Sequence, residues 1–184
     1  MSAAMSPAPA MGYVFLAIDC SGSMQGTKIE QAKKGSVDFA RDAIAKGYFV
    51  GLIRFDTFVT LLCNPTDDIS KIDLAVSKLD IGYSTYIASA ITLAQKKFTG
   101  LSGAKAIVIV TDGMPNDWGD PKKSMKAGDN AKKEGIDIIA IGTDDANQEF
   151  LKKLASREEL GMKVSFKDLE KAIASSSSLL KKKP

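Results

Sequence analysis

Apolar residues recur along this chain in two alternating modes, and the alternation predicts its architecture. Short continuous apolar runs at 13–18, 49–55, 106–110 and 136–141 read as strands buried on both faces. Between them the apolar positions fall at helical spacing. Residues 28–45 place Ile29, Ala32, Ser36, Ala40, Ala43 and Ile44 on one side. Asp67 or Asp68 can cap a helix running to about Leu79, with Ile69, Ile72, Val76 and Leu79 inward. Residues 85–98 align Ile87, Ile91, Ala94 and Phe98. A further strand at 58–63 follows the second after only Asp56 and Thr57, too short a link for a parallel crossover, so the two form an antiparallel hairpin at a sheet edge.

Beyond the run at 106–110, residues 112–121 read as loop and 122–134 as a polar surface helix. Phe150, Leu151 and Leu154 mark a short helix, 162–166 a last edge strand and 169–180 a closing helix, with Ser175 to Ser178 and the final lysines as a fraying end. Such strand–helix alternation predicts an α/β fold of the doubly wound, Rossmann-like kind. It has a mostly parallel sheet, one antiparallel edge strand and helices on both faces. The expected organisation is a flexible tail at 1–12, one domain at 13–180 and a basic tail at 181–184. In doubly wound sheets ligands sit beyond the carboxyl ends of the strands where strand order reverses, which directs attention to the loops leaving the first and fourth strands, at 13–18 and 106–110.

The first of those loops reads Asp19-Cys20-Ser21-Gly22-Ser23. A tight glycine-containing turn can bring one carboxylate and two hydroxyls at alternate positions together, a donor set suited to a hard cation. The same residues could equally cap the backbone of the following helix. Thr85 offers a hydroxyl from a separate loop, or a helix cap. Asp112 ends the most apolar strand, where a carboxylate is costly unless compensated, or else caps a turn with Gly113. Together the five oxygen-bearing side chains of three segments are expected at one rim.

Asp19 to Ser23, Thr85 and Thr111-Asp112-Gly113 resemble, in order and spacing, the metal-ion-dependent adhesion site of von Willebrand factor A domains. The resemblance covers roughly 13–180 and all five positions carry the family's residue types. It implies that Ser21, Ser23 and Thr85 contact a cation and that Asp19 and Asp112 bind it directly or through water. Mg²⁺ is the expected ion, with Mn²⁺ as an alternative. An open coordination position would then attract a Glu or Asp carboxylate from a partner protein. The expected rim around it comprises Met24, Gln25, Tyr83, Tyr86, Met114, Pro115, Asn116, Asp117 and Trp118, since Trp, Tyr and Met favour interface cores. Trp118 and the tyrosines could alternatively fold back on the domain.

Composition narrows the chemistry. The 184 residues contain no histidine, which excludes a Ser-His-Asp triad, a Cys-His pair, an H-E-x-x-H zinc site and any imidazole base. Lys+Arg 25 against Asp+Glu 22 gives a net charge of +3, all of it attributable to Lys181, Lys182 and Lys183, so no basic stripe suggests nucleic acid. Two isolated cysteines, Cys20 and Cys63, read as reduced thiols. Without a secretory pattern or a long apolar segment, the expectation is a cytoplasmic protein with no membrane span.

The segment Gly22 to Lys28 sits where a phosphate loop belongs, but its spacer is one residue short and Thr27 precedes Lys28. An aspartyl phosphoryl-transfer or hydrolytic enzyme could begin at Asp19, yet Ser21 stands where such chemistry wants a second carboxylate. The favoured expectation is a non-enzymatic, metal-dependent binding module inside an intracellular multi-protein assembly. The alternative is a Mg²⁺-dependent phosphoryl-transfer or hydrolytic enzyme using Asp19.

Overall fold

The computed structural model describes residues 12–115 and 121–181. Six strands form one sheet in the order β3-β2-β1-β4-β5-β6. They are β1 (Gly12–Asp19), β2 (Tyr48–Phe55), β3 (Val59–Thr66), β4 (Ala104–Thr111), β5 (Ile136–Thr143) and β6 (Gly161–Val164). Every pairing is parallel except β2 with β3, the edge hairpin that the short Asp56-Thr57 link requires. β1 lies between β2 and β4, so the strand order reverses at β1. Its residues Val14 to Ile18 are all fully buried, as are Ile107 to Val110 of β4. Those two strands carry the loops that the sequence singles out.

Helices α1 (Thr27–Ala45), α2 (Ile69–Ser77) and α6 (Leu169–Ser175) pack together, and α3 (Ile87–Phe98), α4 (Pro121–Lys133) and α5 (Gln148–Leu154) form a second group. The amphipathic faces fall largely as the spacing predicts and are wider than expected: Gly35 and Phe39 of α1, Ala75 of α2 and Ala90 of α3 are buried as well. Ring packing sets local sizes in the core. Phe15 meets Phe98 at 5.1 Å between centroids, and a side chain at Gly51 would come within 2.3 Å of the Phe15 ring, so β2 stays bare there. The polar helix α4 turns its small residues Ser124, Gly128 and Ala131 inward.

Several expected boundaries move, β3 running over Val59–Thr66 and α3 starting only at Ile87. Gly12 belongs to β1 rather than to the tail, paired with Tyr48 and Ala104. Lys181 is tied to the domain, its carbonyl accepting from the Tyr48 hydroxyl at 2.7 Å and its ammonium pairing with Asp137 at 3.0 Å. The rest of both expected tails lies outside the described residues. The last strand stops at Val164, and Phe166 enters a 3₁₀ turn (Phe166–Asp168) held by the Ser165 hydroxyl on Asp168 at 2.8 Å.

The serine run does not fray. α6 tightens into a 3₁₀ turn (Ser176–Leu179) in which Ser176 and Ser178 donate to the carbonyls three residues back, at 2.7 and 2.8 Å. Such back-bonding competes with the α-helical ladder. Ser176 and Ser177 are buried, and Ser177 donates to Asp42 of α1.

Glycine 35 governs how closely α1 and α6 approach, because a Cβ there would lie 2.7 Å from the Glu170 carbonyl oxygen. In an exposed helix Gly→Ala gains roughly 1 kcal/mol. Here Gly35→Ala is expected to lower the melting temperature by several degrees in a thermal melt; a variant that melts higher would contradict this packing.

Candidate metal centre and its rim

β1 delivers Asp19 to the end of the sheet with its carboxylate wholly shielded from water. Oδ1 accepts the Ser21 backbone N–H at 2.8 Å, and Oδ2 accepts the Thr111 hydroxyl of β4 at 2.6 Å. After Asp19 the chain makes a 3₁₀ turn (Gly22–Met24), and Gly26, at φ +84°, redirects it into α1. This turn brings the Ser21 and Ser23 hydroxyls within 3.2 Å of each other. Ser23 in turn donates to Asp112 Oδ1 at 2.6 Å. Asp19, Ser21, Ser23 and Asp112 thus form one hydrogen-bonded chain across the β1–β4 switch point.

Thr85 arrives on a third segment. Its loop is bonded to the first through the Gly82 N–H on the Cys20 carbonyl at 2.6 Å and the Gly22 N–H on the Tyr83 carbonyl at 3.1 Å. α3 begins only at Ile87, with Tyr86 at its N-cap and no side-chain cap, so Thr85 does not serve as a helix cap. Thr85 is 7% exposed; no described residue hydrogen-bonds its hydroxyl, which is open to solvent, unlike the fully buried unpartnered hydroxyls of Ser36 and Ser124. The backbone bonds of its loop bring the Thr85 segment against the Ser21–Ser23 turn.

The third segment is braced from behind. Asp56 is buried, accepts the Phe58 N–H at 2.7 Å and pairs with Arg54 Nη2 at 2.8 Å. Arg54 Nε also reaches the Asp80 carboxylate at 2.7 Å. Gly82 lies so close to Asp56 that a Cβ would fall 1.3 Å from its Oδ2, which only glycine allows.

Charge at the rim is partly balanced by Lys28 in the first turn of α1. Its ammonium pairs with Asp112 Oδ2 and, at 2.8 Å, with Asp144 Oδ2. Asp144 sits just after β5 in the left-handed region, at φ 49°. Burial pulls the Lys28 ammonium towards deprotonation, but its hydrogen bonds to Asp112 and Asp144 outweigh that and hold its pKa above the ordinary value. The Asp19 pKa is raised as well, which for a carboxyl favours the neutral form. Burial raises it to about 6 despite the hydrogen bonds from Thr111 and Ser21.

The described residues contain no cluster of three or more His, Cys, Asp or Glu able to hold a metal. What they bring together is two carboxylates and neighbouring hydroxyls, oxygen donors that fit a hard cation rather than zinc-type sulfur and nitrogen ligation. Lys28, offered by the sequence only as a misplaced phosphate-loop lysine, is here a counter-ion to Asp112. Sequence reasoning missed that role and Asp144 as well, because their pairing joins residues 28, 112 and 144 with no local pattern.

The expected rim divides. Gln25 and Tyr83 are exposed, Met114 is partly so and Tyr86 is half-buried. Met24 is a correction: it is fully buried in the core, since the 3₁₀ turn that aligns Ser21 and Ser23 rotates it inward. Pro115 is buried too. Asn116, Asp117 and Trp118 lie outside the described residues. Phe58, at the hairpin tip, is 73% exposed and was not anticipated. Cys20 and Cys63 are free thiols, the former pushed up to about 12 by burial.

Asp19 makes the metal-free protein pH-sensitive. Its folded value of about 6 lies above the ordinary 3.8, so the folded state binds the proton more tightly than the unfolded chain and stability falls as pH rises from about 4 through 6. Asp19→Asn removes this charge while Thr111 can reverse its hydrogen bond. In chelator at pH 7.5 the variant is expected to be more stable than wild type by up to about 3 kcal/mol, the gain fading towards pH 4. Thermal melts across that range check it; a variant less stable at pH 7.5 would contradict the buried-charge account.

Comparison with known proteins bears on this geometry. The von Willebrand factor type A domain model matches residues 14–176. A UPF0353 protein of Mycobacterium ulcerans is 30% identical over 149 residues, 71% of this chain and 44% of that protein; the chain thus spans less than half the length of the curated relatives it matches. Among solved structures, the vWF domain of the type V pili tip protein Mfa5 from Porphyromonas gingivalis superposes with a TM-score of 0.82 at 14% identity, covering 94% of this chain and 95% of that one. Proximal thread matrix protein 1 of the mussel byssus, in a form with a zinc-occupied MIDAS motif, gives 0.73 at 20% identity over 92% of this chain and 46% of that one. BatB from Bacteroides thetaiotaomicron gives 0.69 at 20% identity over 91% and 97%. The chain belongs to the von Willebrand factor type A domain family.

Proposed function

We propose that the rim formed by the loops after β1, α2 and β4 holds one divalent cation, Mg²⁺ or alternatively Mn²⁺, and through it binds an acidic side chain of a partner protein. Von Willebrand factor A domains are generally protein-interaction modules, some of them with a metal-bearing adhesion site. The observation that carries the reading for this chain is Thr85. Its hydroxyl has no hydrogen-bond partner among the described residues, beside a linked array of Asp19, Ser21, Ser23 and Asp112.

In this reading Ser21, Ser23 and Thr85 supply hydroxyl oxygens, and Asp19 and Asp112 supply negative charge directly or through water. The bound cation supplies an electrophilic anchor for a carboxylate. The chain's own residues do the rest. Thr111 and the Ser21 N–H orient Asp19, and Lys28 fixes Asp112 so that its other oxygen faces Ser23. Binding is favoured over phosphoryl transfer because Asp19, the required nucleophile, is sealed from solvent with both oxygens engaged. Among the described residues no helix is long and apolar enough to cross a membrane. With Cys20 and Cys63 unpaired, the reading places the module in the cytoplasm, within a multi-protein assembly.

Calorimetric titration with Mg²⁺ and Mn²⁺ tests the cation directly. A single site is expected, and saturation at about 100 times Kd should add about 2.7 kcal/mol of stability. Thr85→Ala should weaken binding at least about ten-fold while leaving the metal-free melting temperature unchanged, because its hydroxyl holds nothing in the fold. Absence of heat together with absence of any thermal shift sinks the proposal.

A further inference from the structure

Five large apolar side chains are exposed among the described residues, and they are not scattered evenly. Four of them stand on loops at the carboxyl end of the sheet: Phe166 follows the edge strand β6, while Phe58 at 73%, Tyr83 at 85% and Met114 at 36% lie on the β2–β3, α2–α3 and post-β4 loops. Phe58 tips the β2–β3 hairpin, Tyr83 precedes Thr85 by two residues, and Met114 follows Asp112 by two. Aromatic side chains left in water gain nothing for the fold, and this concentration surrounds the very site described above.

The two aromatic loops are also one rigid piece. The Ser84 N–H donates to the Thr57 hydroxyl at 3.3 Å, Gly82 rests on the Asp56 carboxylate, and Arg54 bridges Asp56 and Asp80. The Tyr83 carbonyl is in turn bonded to the Gly22 N–H in the middle of the Ser21–Ser23 turn. Charge is buried here at a cost, and its visible result is to fix Phe58 and Tyr83 relative to Ser21, Ser23 and Thr85. Presentation of exposed aromatics on a preorganised frame is what a binding surface requires, since little side-chain or loop entropy is then lost on contact.

We propose that the ligand is an acidic–apolar segment of a partner protein, in which the Glu or Asp that meets the cation has an aliphatic or aromatic side chain beside it, and that Phe58 and Tyr83 receive that apolar group. This rests on the cation reading and names its partner class. Neither a bare carboxylate nor a polyacidic run uses the aromatic pair. In an extended segment, side chains two residues apart point the same way roughly 7 Å from each other. An apolar residue two positions from the acid can therefore reach aromatic surface while the acid stays at the rim. Burial of one aliphatic side chain in this way tightens binding about ten-fold or more.

The test uses N-acetylated, C-amidated heptapeptides with a central Glu flanked by Ser, by Leu or by further Glu, titrated into the Mg²⁺-loaded protein and followed by NMR and calorimetry. The Leu-flanked peptide should bind at least about ten-fold more tightly than the Ser-flanked one. Phe58→Ser and Tyr83→Ser should each erase most of that advantage with Mg²⁺ affinity unchanged; both side chains are exposed, so folding is not at risk. Equal binding of the Ser- and Leu-flanked peptides, a preference for the polyacidic peptide, an advantage that survives in the double variant, or no binding of any peptide overturns the inference. If Mg²⁺ itself fails to bind, the underlying cation reading falls and takes this one with it. If Mg²⁺ and the Ser-flanked peptide bind but leucine adds nothing, the acidic–apolar inference alone fails.

Discussion

A carboxylate closed off from water at the end of the central strand is the constraint on which the rest of this site turns. Asp19 is given two hydrogen bonds, from Thr111 and from the Ser21 backbone, yet burial still drives its pKa to about 6. Around it stand Asp112, buried, and Asp144, partly exposed, with Lys28 as the counter-charge paired to both. The site therefore gathers three carboxyl groups around a single ammonium, an excess of acidic over basic groups in a poorly solvated place. A fold that bore such a deficit for its own sake would gain by replacing Asp19 with a neutral residue. A divalent cation would make good that deficit, which is the physical link from the buried strand end to the proposed activity.

The same economy of structure explains the hydroxyls. Ser21 and Ser23 are aligned by a turn that also carries Met24 into the core, so positioning of the site and packing of the domain are one event. Thr85 is delivered differently, on a loop stitched to the first by two backbone hydrogen bonds and backed by the Arg54–Asp56–Asp80 ion pairs. The rim's carboxylates and serine hydroxyls are thus largely engaged with one another. What remains exposed at the rim is Ser23, Gln25 and a small set of apolar side chains, a combination suited to recognition.

Most of this architecture was legible from residue order alone. Apolar runs in β1, β4 and β5 and helical spacing in α1 and α3 specify a doubly wound sheet, and the two-residue link after Phe55 forces the antiparallel edge. Asp19, Ser21, Ser23 and Asp112 could be grouped in advance because they sit at predictable strand ends; the structure joins them by hydrogen bonds. Side-chain direction was less accessible. Met24 and Gln25 are adjacent in a polar loop, and only the 3₁₀ turn decides that one is core and the other surface. Phe58 looked like one more strand residue, although it caps an exposed hairpin. Lys28 and Asp144 meet only through the packing of α1 across two loops, and no local pattern announces such a contact. The serine run after α6 looked polar and loose, whereas its hydroxyls turn back on the helix and one reaches Asp42.

Diffraction from crystals soaked in Mn²⁺, with data collected at an energy where manganese scatters anomalously, addresses the central claim most directly. The account predicts one strong anomalous peak at the carboxyl end of β1, within coordinating distance of the Ser21, Ser23 and Thr85 hydroxyls, about 2.0–2.4 Å, with Asp19 and Asp112 bound to the ion or to its waters. A map with no peak there at saturating Mn²⁺, or with the ion held at another surface while Thr85 stays unliganded, would contradict it.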